Sequence, residues 1–330
     1  MNEEIRQQTQ QITRKEFGSR KVVLLLAVKV LISAGLIFYL TKRFSDISFA
    51  TLFDFKYFLP FLGAVVLLPL NFFLQYHKWK LICDYSYPAQ KPFAVFASVL
   101  TGIATGLLTP GRLGEYPGRA FTIKGVKLSE VTAGAAIDKL NSLLVILIVG
   151  SFSAVIFLHQ YYLVDTNLIL SLMFLLTGVY LLLLYLMLTP EFWRGFLGNQ
   201  IAKFKFIEKH FINFHSIGLF NRSVFGKNFA LSVLNYLVFS AQFLLLVFSY
   251  NGDFDLPGAL MASSLVFFTK SMIPGITIGE IGVRESAAIF FLGFIGVNAG
   301  AAFKASVLLY LLNILLPSIP GAVFIFKKEG

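Results

Sequence analysis

Stretches close to twenty residues long and almost free of charge recur along this chain, and they limit its fold more than any other feature. They fall at about 22–40, 57–76, 130–158, 167–188, 228–250 and 299–326. Roughly 20 apolar residues of helix cross a hydrocarbon core about 30 Å thick, because a helix satisfies its own backbone where water is absent. Composition agrees: of 330 residues 57% are hydrophobic and only 14% charged, too few charges to cover a soluble domain of that length. The expected fold class is therefore an all-α integral membrane protein. Residues 1–21 are polar, too long for a cleavable signal, and the run after them lacks a small-residue cleavage motif, so 22–40 reads as a retained first span.

Two further apolar stretches, about 93–109 and 258–273, are each cut by a Pro-Gly pair. The cuts open two similar phrases, TPGRLGEYPGR at 109–119 and IPGITIGEIGVRE at 273–285. Loop charges decide whether these stretches cross. Arg6, Arg14, Lys15, Arg20 and Lys21 put the N-terminus on the cytoplasmic side, and the loop expected after the second span carries Lys78, Lys80 and Lys91. Were 93–109 to cross, Arg112, Arg119, Lys124 and Lys127 would lie outside; if it dips in and returns, they stay inside. The connection 159–166 has no Lys or Arg, the 189–227 linker has six, NGDFDLP at 251–257 is acidic, and Lys327-Lys328 closes the chain. One topology satisfies every loop: six transmembrane helices plus two re-entrant hairpins in inverted repeats, 22–158 and 167–326. The segment 1–21, the 189–227 linker and both termini are then cytoplasmic, and 1–330 is a single polytopic domain. Interrupted helices from two inverted halves, meeting near the midplane, are a recurrent transporter plan.

The phrases place Glu115 and Arg119, and again Glu280 and Arg284, four residues apart, where they would pair on one helix face. Such pairs serve as clips that close each hairpin. Their arginines also suit an anionic group, since a guanidinium presents a planar fork to phosphate oxygens. The two readings are compatible. Arg112 follows its Pro-Gly directly, Lys270 lies one turn before the second Pro-Gly, and Glu285 stands beside Arg284. Asp138 and Lys139 sit about 12 Å inside the 130–158 span at 1.5 Å per residue, with Arg119 or Arg284 as a fair partner for the carboxylate. Intramembrane charge is a functional hypothesis by default, although snorkelling accounts for Lys29 or Lys304 equally well.

Other chemistries find no support. The net charge of +11 is spread over loops without nucleic-acid-type aromatics, and a single Cys83 and four scattered histidines offer neither a disulfide framework nor a metal set. No P-loop, GxGxxG or GxSxG occurs, so no catalytic residue and no cofactor is expected. The expected partner is a membrane lipid, a phospholipid or a polyprenyl phosphate; a homo-oligomer is compatible with this and nucleic acid is not.

At the phrases the chain resembles the membrane domain of bacterial lysylphosphatidylglycerol synthases, the flippase-like domain family. The anchors are TPGRLGE followed by Arg119, IGVRE at 281–285 and LLYLLNILLPSIPG at 308–321, within a resemblance spanning about 20 to 326. In that family an acidic-basic pair opens the span after the first phrase, often Glu-Arg with an Asp three residues on. Here Asp138-Lys139 resembles the pair, and Ser142 stands where that Asp falls. Likewise Ile276-Thr277-Ile278-Gly279-Glu280 replaces the usual Gly-Leu-Gly. The resemblance implies lipid translocation in the bacterial inner membrane, without the aminoacyl transferase domain of the full-length synthases. A membrane enzyme acting on a lipid-linked head group and an accessory subunit are the alternatives.

Overall fold

Helix length divides the apolar stretches into two kinds. In the computed structural model, residues 51–189, 222–253, 255–273 and 282–326 are described, and their regular structure is helical throughout. Five elements are long and apolar enough to cross a membrane. They are α1 (Phe58–Ser86), α4 (Leu128–Tyr162), α5 (Thr166–Met187), α6 (Arg222–Asn251), and α9 with α10 (Ala299–Tyr310 and Leu316–Phe326), joined by a π-helical turn at Leu311–Leu315. They match five of the six expected spans. The sixth, 22–40, lies outside the described residues, as do the N-terminal segment, 190–221 of the linker, and 274–281 with Glu280.

The shorter elements, α2 (Pro92–Leu108) and α7 (Leu256–Met272), have 17 residues each, about 25 Å of helix, and fall short of a full core. Short helices α3 (Glu115–Gly118) and α8 (Val283–Gly293) follow them. α1 departs from the sequence reading. It runs on to Ser86, so Lys78 and Lys80 lie on a helix and not in a cytoplasmic loop. The apolar pattern fades at His77, yet Lys78 is only 3% exposed, because ionic partners inside the bundle hold it.

Packing builds two large cores, beside a small cluster of Phe157, Met261 and Leu265. One joins α6, α7, α8 and α9 through Phe243, Val266, Leu292 and Phe303. The other joins α1, α2 and α4 through Trp79, Ile103 and Val131, with Tyr310 and Ile314 from the last span completing it. α5 stands apart, turning Phe174, Leu181 and Tyr185 outward, as a lipid-facing helix does. Between the cores runs a chain of amides. Asn71 Nδ2 donates to Asn313 Oδ1 at 2.6 Å, and Asn313 Nδ2 donates to Gln242 Oε1 at 2.9 Å. Gln242 Nε2 ends the chain on the Ala64 carbonyl at 2.9 Å. These bonds tie α1 and α6 to the π-turn, where the extra backbone carbonyl of an i→i+5 turn tolerates a polar neighbour.

The feature that positions the site is a fold-back. After α2 the chain turns at Gly111 and Arg112, both left-handed with φ of 55° and 56°. It then retraces α2 in the opposite direction. Thr105 Oγ1 donates to the Gly114 carbonyl at 2.8 Å, Ser98 Oγ to Arg119 O at 2.7 Å, and Thr122 Oγ1 to Ala94 O at 2.8 Å. Gln90 finally exchanges two hydrogen bonds with Lys124, 2.9 and 3.0 Å long. The chain has thus returned to the end of α2 from which it started. Glycine makes the approach close enough: a Cβ on Gly118 would stand 1.8 Å from Thr105 Oγ1, and one on Gly102 2.9 Å from Arg119 Cγ.

Candidate functional site

Where the fold-back meets α1 and α4, six charged side chains gather. Asp138, nearly three turns into α4, is buried; it accepts from Arg119 Nη1 at 2.9 Å and pairs with Lys78 Nζ at 3.2 Å. Lys78 also reaches Ser142 Oγ, one turn further along α4. Asn228 of α6 donates to Asp138 Oδ1 at 3.3 Å and to the Lys78 carbonyl at 3.1 Å, and Asn141 donates to Asn228 Oδ1 at 2.9 Å. Buried charge needs such partners, because desolvation otherwise outweighs the Coulomb attraction.

Glu115 forms the second node. Its Oε1 lies 2.6 Å from Lys139 Nζ and 3.5 Å from Arg119 Nη2, and its Oε2 lies 3.0 Å from Arg112 Nη2. The expected Glu115–Arg119 pair is therefore present only at the limit of a hydrogen bond. α3 is four residues long; the chain tightens into a 3₁₀ turn at Arg119 and aims the guanidinium at Asp138 instead, one of the two partners anticipated for that carboxylate. Trp79 supports this direction: its ring faces the Arg119 guanidinium at 4.6 Å, and its Nε1 donates to Ser98 Oγ at 2.9 Å. A guanidinium on an indole face is held by both charge and shape.

The sum of charges matters more than any pair. Lys78, Arg112, Arg119 and Lys139 face only Glu115 and Asp138, so among the described residues two positive charges in the cluster are unmatched. The buried Nε atoms of Arg112 and Arg119 have no hydrogen-bond partner. Access is one-sided: the Lys139 and Arg112 side chains are 33% and 18% exposed, against 2–4% for Arg119, Lys78, Glu115 and Asp138. The left-handed backbone of Arg112, which costs roughly 1–2 kcal/mol for a side chain with a Cβ, turns that residue back onto Glu115.

The second phrase is organised differently. Arg284 Nη2 bonds Glu285 Oε1 at 2.7 Å and its Nε bonds Ser306 Oγ at 2.9 Å, while its guanidinium lies 5.5 Å from the Tyr310 ring centre. Glu285 Oε2 caps α8 by accepting from the Gly282 amide at 2.6 Å, and Ser306 Oγ donates to Glu285 Oε1 at 3.0 Å. Among the described residues, one cation meets one anion here. Glu280, the partner expected for Arg284, lies outside the described residues, and Lys270 is half-buried in the last turn of α7. Arg284 pairs with Glu285 and Ser306, and Asp138 pairs with Arg119 and Lys78, so the structure does not draw Arg284 to Asp138. Lys304 rests over the Tyr250 ring at 4.9 Å, and Asn313 belongs to the amide chain.

Of the sequence-stated residues, Arg112, Glu115, Arg119, Asp138 and Lys139 come together, and Arg284 with Glu285 forms a separate pair. Lys78, Trp79 and Asn228 were missed. A signal for two of them existed: Asn71, Leu74, Lys78 and Ile82 recur at helical spacing on the buried side of α1, so Lys78 and its neighbour could have been read as a continuation of the span. The lysylphosphatidylglycerol synthase TM region is the family whose model matches this chain, over residues 26–321. Among curated proteins none matches.

Proposed function

The chain belongs to the lysylphosphatidylglycerol synthase transmembrane-region family, and from that premise we propose that it carries the anionic head group of a lipid, a phospholipid or a polyprenyl phosphate, across the bacterial inner membrane. Arg112, Arg119 and Lys139 hold the phosphate, and Glu115 occupies their donors until it arrives. Asp138 and Lys78 fix Arg119 from behind. The observation that carries this reading is the pair of unmatched positive charges within a helical membrane protein. Lys78 lies eight residues from the end of α1 and Asp138 ten from the start of α4, about 12 and 15 Å along those helices. Both residues lie within helices long and apolar enough to cross a membrane. Cations so placed are functional in most membrane proteins, since they are expensive to keep there without an anion.

The return of the chain from Gln90 to Lys124 supports the first half as a re-entrant hairpin with both ends cytoplasmic. The matching second hairpin, in an inverted repeat, rests on the charge pattern and on the equal 17-residue lengths of α2 and α7. Arg284 and Glu285, whose charges match, close that hairpin; the clip expected from sequence was Glu280 with Arg284, and Glu280 lies outside the described residues. With no nucleotide motif, transport runs downhill or on an ion gradient.

The test uses protein reconstituted in vesicles with a fluorescent phospholipid and an impermeant quencher. Arg119→Ala is expected to slow head-group translocation at least about tenfold, the loss of one charge-assisted contact. Arg119→Lys, which keeps the charge but not the fork, falls between. Wild-type rates in a folded Arg119→Ala protein would overturn the proposal.

A further inference from the structure

Resting on the lipid-carrier reading, we infer that the head group travels between α1 and α6, along a water-filled passage that leads from the charged cluster past Gln75 to Asn235. The two helices pack antiparallel in a seven-residue register. Asn228 Nδ2 donates to the Lys78 carbonyl at 3.1 Å, Asn235 Nδ2 to Asn71 Oδ1 at 2.5 Å, and Gln242 Nε2 to the Ala64 carbonyl at 2.9 Å. Residues seven apart lie on one face of a helix, so all three amides of α6 point at α1. Asn228 and Gln242 are buried, yet Asn235 between them is partly exposed. α1 repeats the pattern: Asn71 and Lys78 are buried, and Gln75, between them on the same face, is partly exposed. An opening with sealed levels on both sides, on faces that two helices turn toward each other, belongs to the interior of the bundle and not to its lipid surface.

Unserved acceptors line the same stretch. Gln75 Nε2 and Asn235 Nδ2 both donate to Asn71 Oδ1, at 3.2 and 2.5 Å, and among the described residues their own side-chain oxygens accept no hydrogen bond. Asn141 Oδ1, beside Ser142 at the cluster end, is buried and also without a partner. A buried polar atom left without a partner costs about 1–3 kcal/mol. Water meets that need where the space is polar and open. From the Lys78–Asn228 rung to the Asn71–Asn235 rung is seven residues, about 10 Å of helix. The passage therefore carries on from the place where Lys78 reaches Ser142. Its amide oxygens accept from water and from head-group hydroxyls, while the phosphate stays with the arginines.

Single thiols in a Cys83→Ala background test this in detergent with iodoacetamide, which reacts with the thiolate. A thiolate forms in water and is suppressed in apolar surroundings. Asn235→Cys is expected to be alkylated at least about tenfold faster than Leu237→Cys, which lies two residues on, across the same helix, and is 55% exposed. Dioctanoyl phosphatidylinositol, whose phosphate carries a ring of hydroxyls, is expected to slow alkylation at position 235 at least about twofold once half the sites are filled, and to leave position 237 unchanged. Alkylation of Asn235→Cys no faster than that of Leu237→Cys would overturn the passage. Fast alkylation that the lipid leaves unchanged would overturn the head-group route. Should Asn235→Cys not fold, Gln75→Cys, which gives up only a 3.2 Å bond to Asn71, carries the same comparison. The phosphate reading is judged apart from both results, by translocation in Arg119→Ala.

Discussion

The two Pro-Gly phrases look alike in sequence, and their described residues carry different charge balances. In the first half, four cations share two carboxylates across α1, the fold-back and α4. In the second, Arg284 and Glu285 are neighbours in sequence, their charges match, and Ser306 and the Gly282 amide complete their bonding. A balanced pair needs nothing further and is suited to holding a hairpin shut. An unbalanced cluster is stable only with an additional anion within reach, or with some of its cations near water. The difference teaches that the motif alone does not define a site; the count of charges recruited from neighbouring helices does.

Removing the hub of the unbalanced cluster is expected to have the largest effect. Asp138→Ala leaves Lys78 buried without its counter-ion and Arg119 with only a long contact to Glu115; a loss of about 3–5 kcal/mol is expected, measured as a fall in midpoint in thermal unfolding followed by size-exclusion chromatography. A midpoint within a degree of wild type would mean that the carboxylate does not hold the cluster together. Gly118→Ala comes next, because its Cβ must displace Thr105 from the fold-back; about 1–3 kcal/mol of destabilisation is expected from such overpacking. Gly293→Ala, which meets open space, is the control and is expected to be neutral or slightly stabilising.

Paired replacements sharpen the contrast directly. Arg284→Met with Glu285→Gln removes a balanced pair while keeping an acceptor for the Gly282 amide, and translocation is expected to stay within about twofold. Arg119→Met with Asp138→Asn removes a cation and an anion likewise, yet is expected to cost about tenfold or more, since the fork toward phosphate is gone. Equal losses from both replacements would erase the distinction drawn here. Ser142→Asp sets a third carboxylate in the cluster, beside Lys78, and cancels one of its unmatched charges. Binding of an anionic lipid should weaken about threefold to tenfold with little change in stability.

Much of this was legible before any coordinates. Five spans followed from apolar length, since the bilayer fixes it. Arg112, Glu115, Arg119, Asp138 and Lys139 stood out because charge amid apolar residues is conspicuous. Lys78 did not, because it sits where α1 gains His77, Lys80 and Asp84, and a polar stretch of helix reads like a loop until a partner 60 residues away is placed beside it. The choice of Arg119 between Glu115 and Asp138 was equally hidden. It depends on α3 ending after one turn and on the Trp79 ring, which local spacing does not encode. Ser142 was noticed only as a departure from the family pattern, and its meaning emerged when Lys78 was found against it.

The central claim is that an anionic head group replaces Glu115 among Arg112, Arg119 and Lys139. An experimental structure of the protein in nanodiscs containing phosphatidic acid tests it most directly. The account predicts phosphate density with oxygens about 2.7–2.9 Å from nitrogens of all three residues, and the Glu115 carboxylate turned away. Lipid phosphates confined to the rim of the nanodisc, with Glu115 still bridging Arg112 and Lys139, would contradict it.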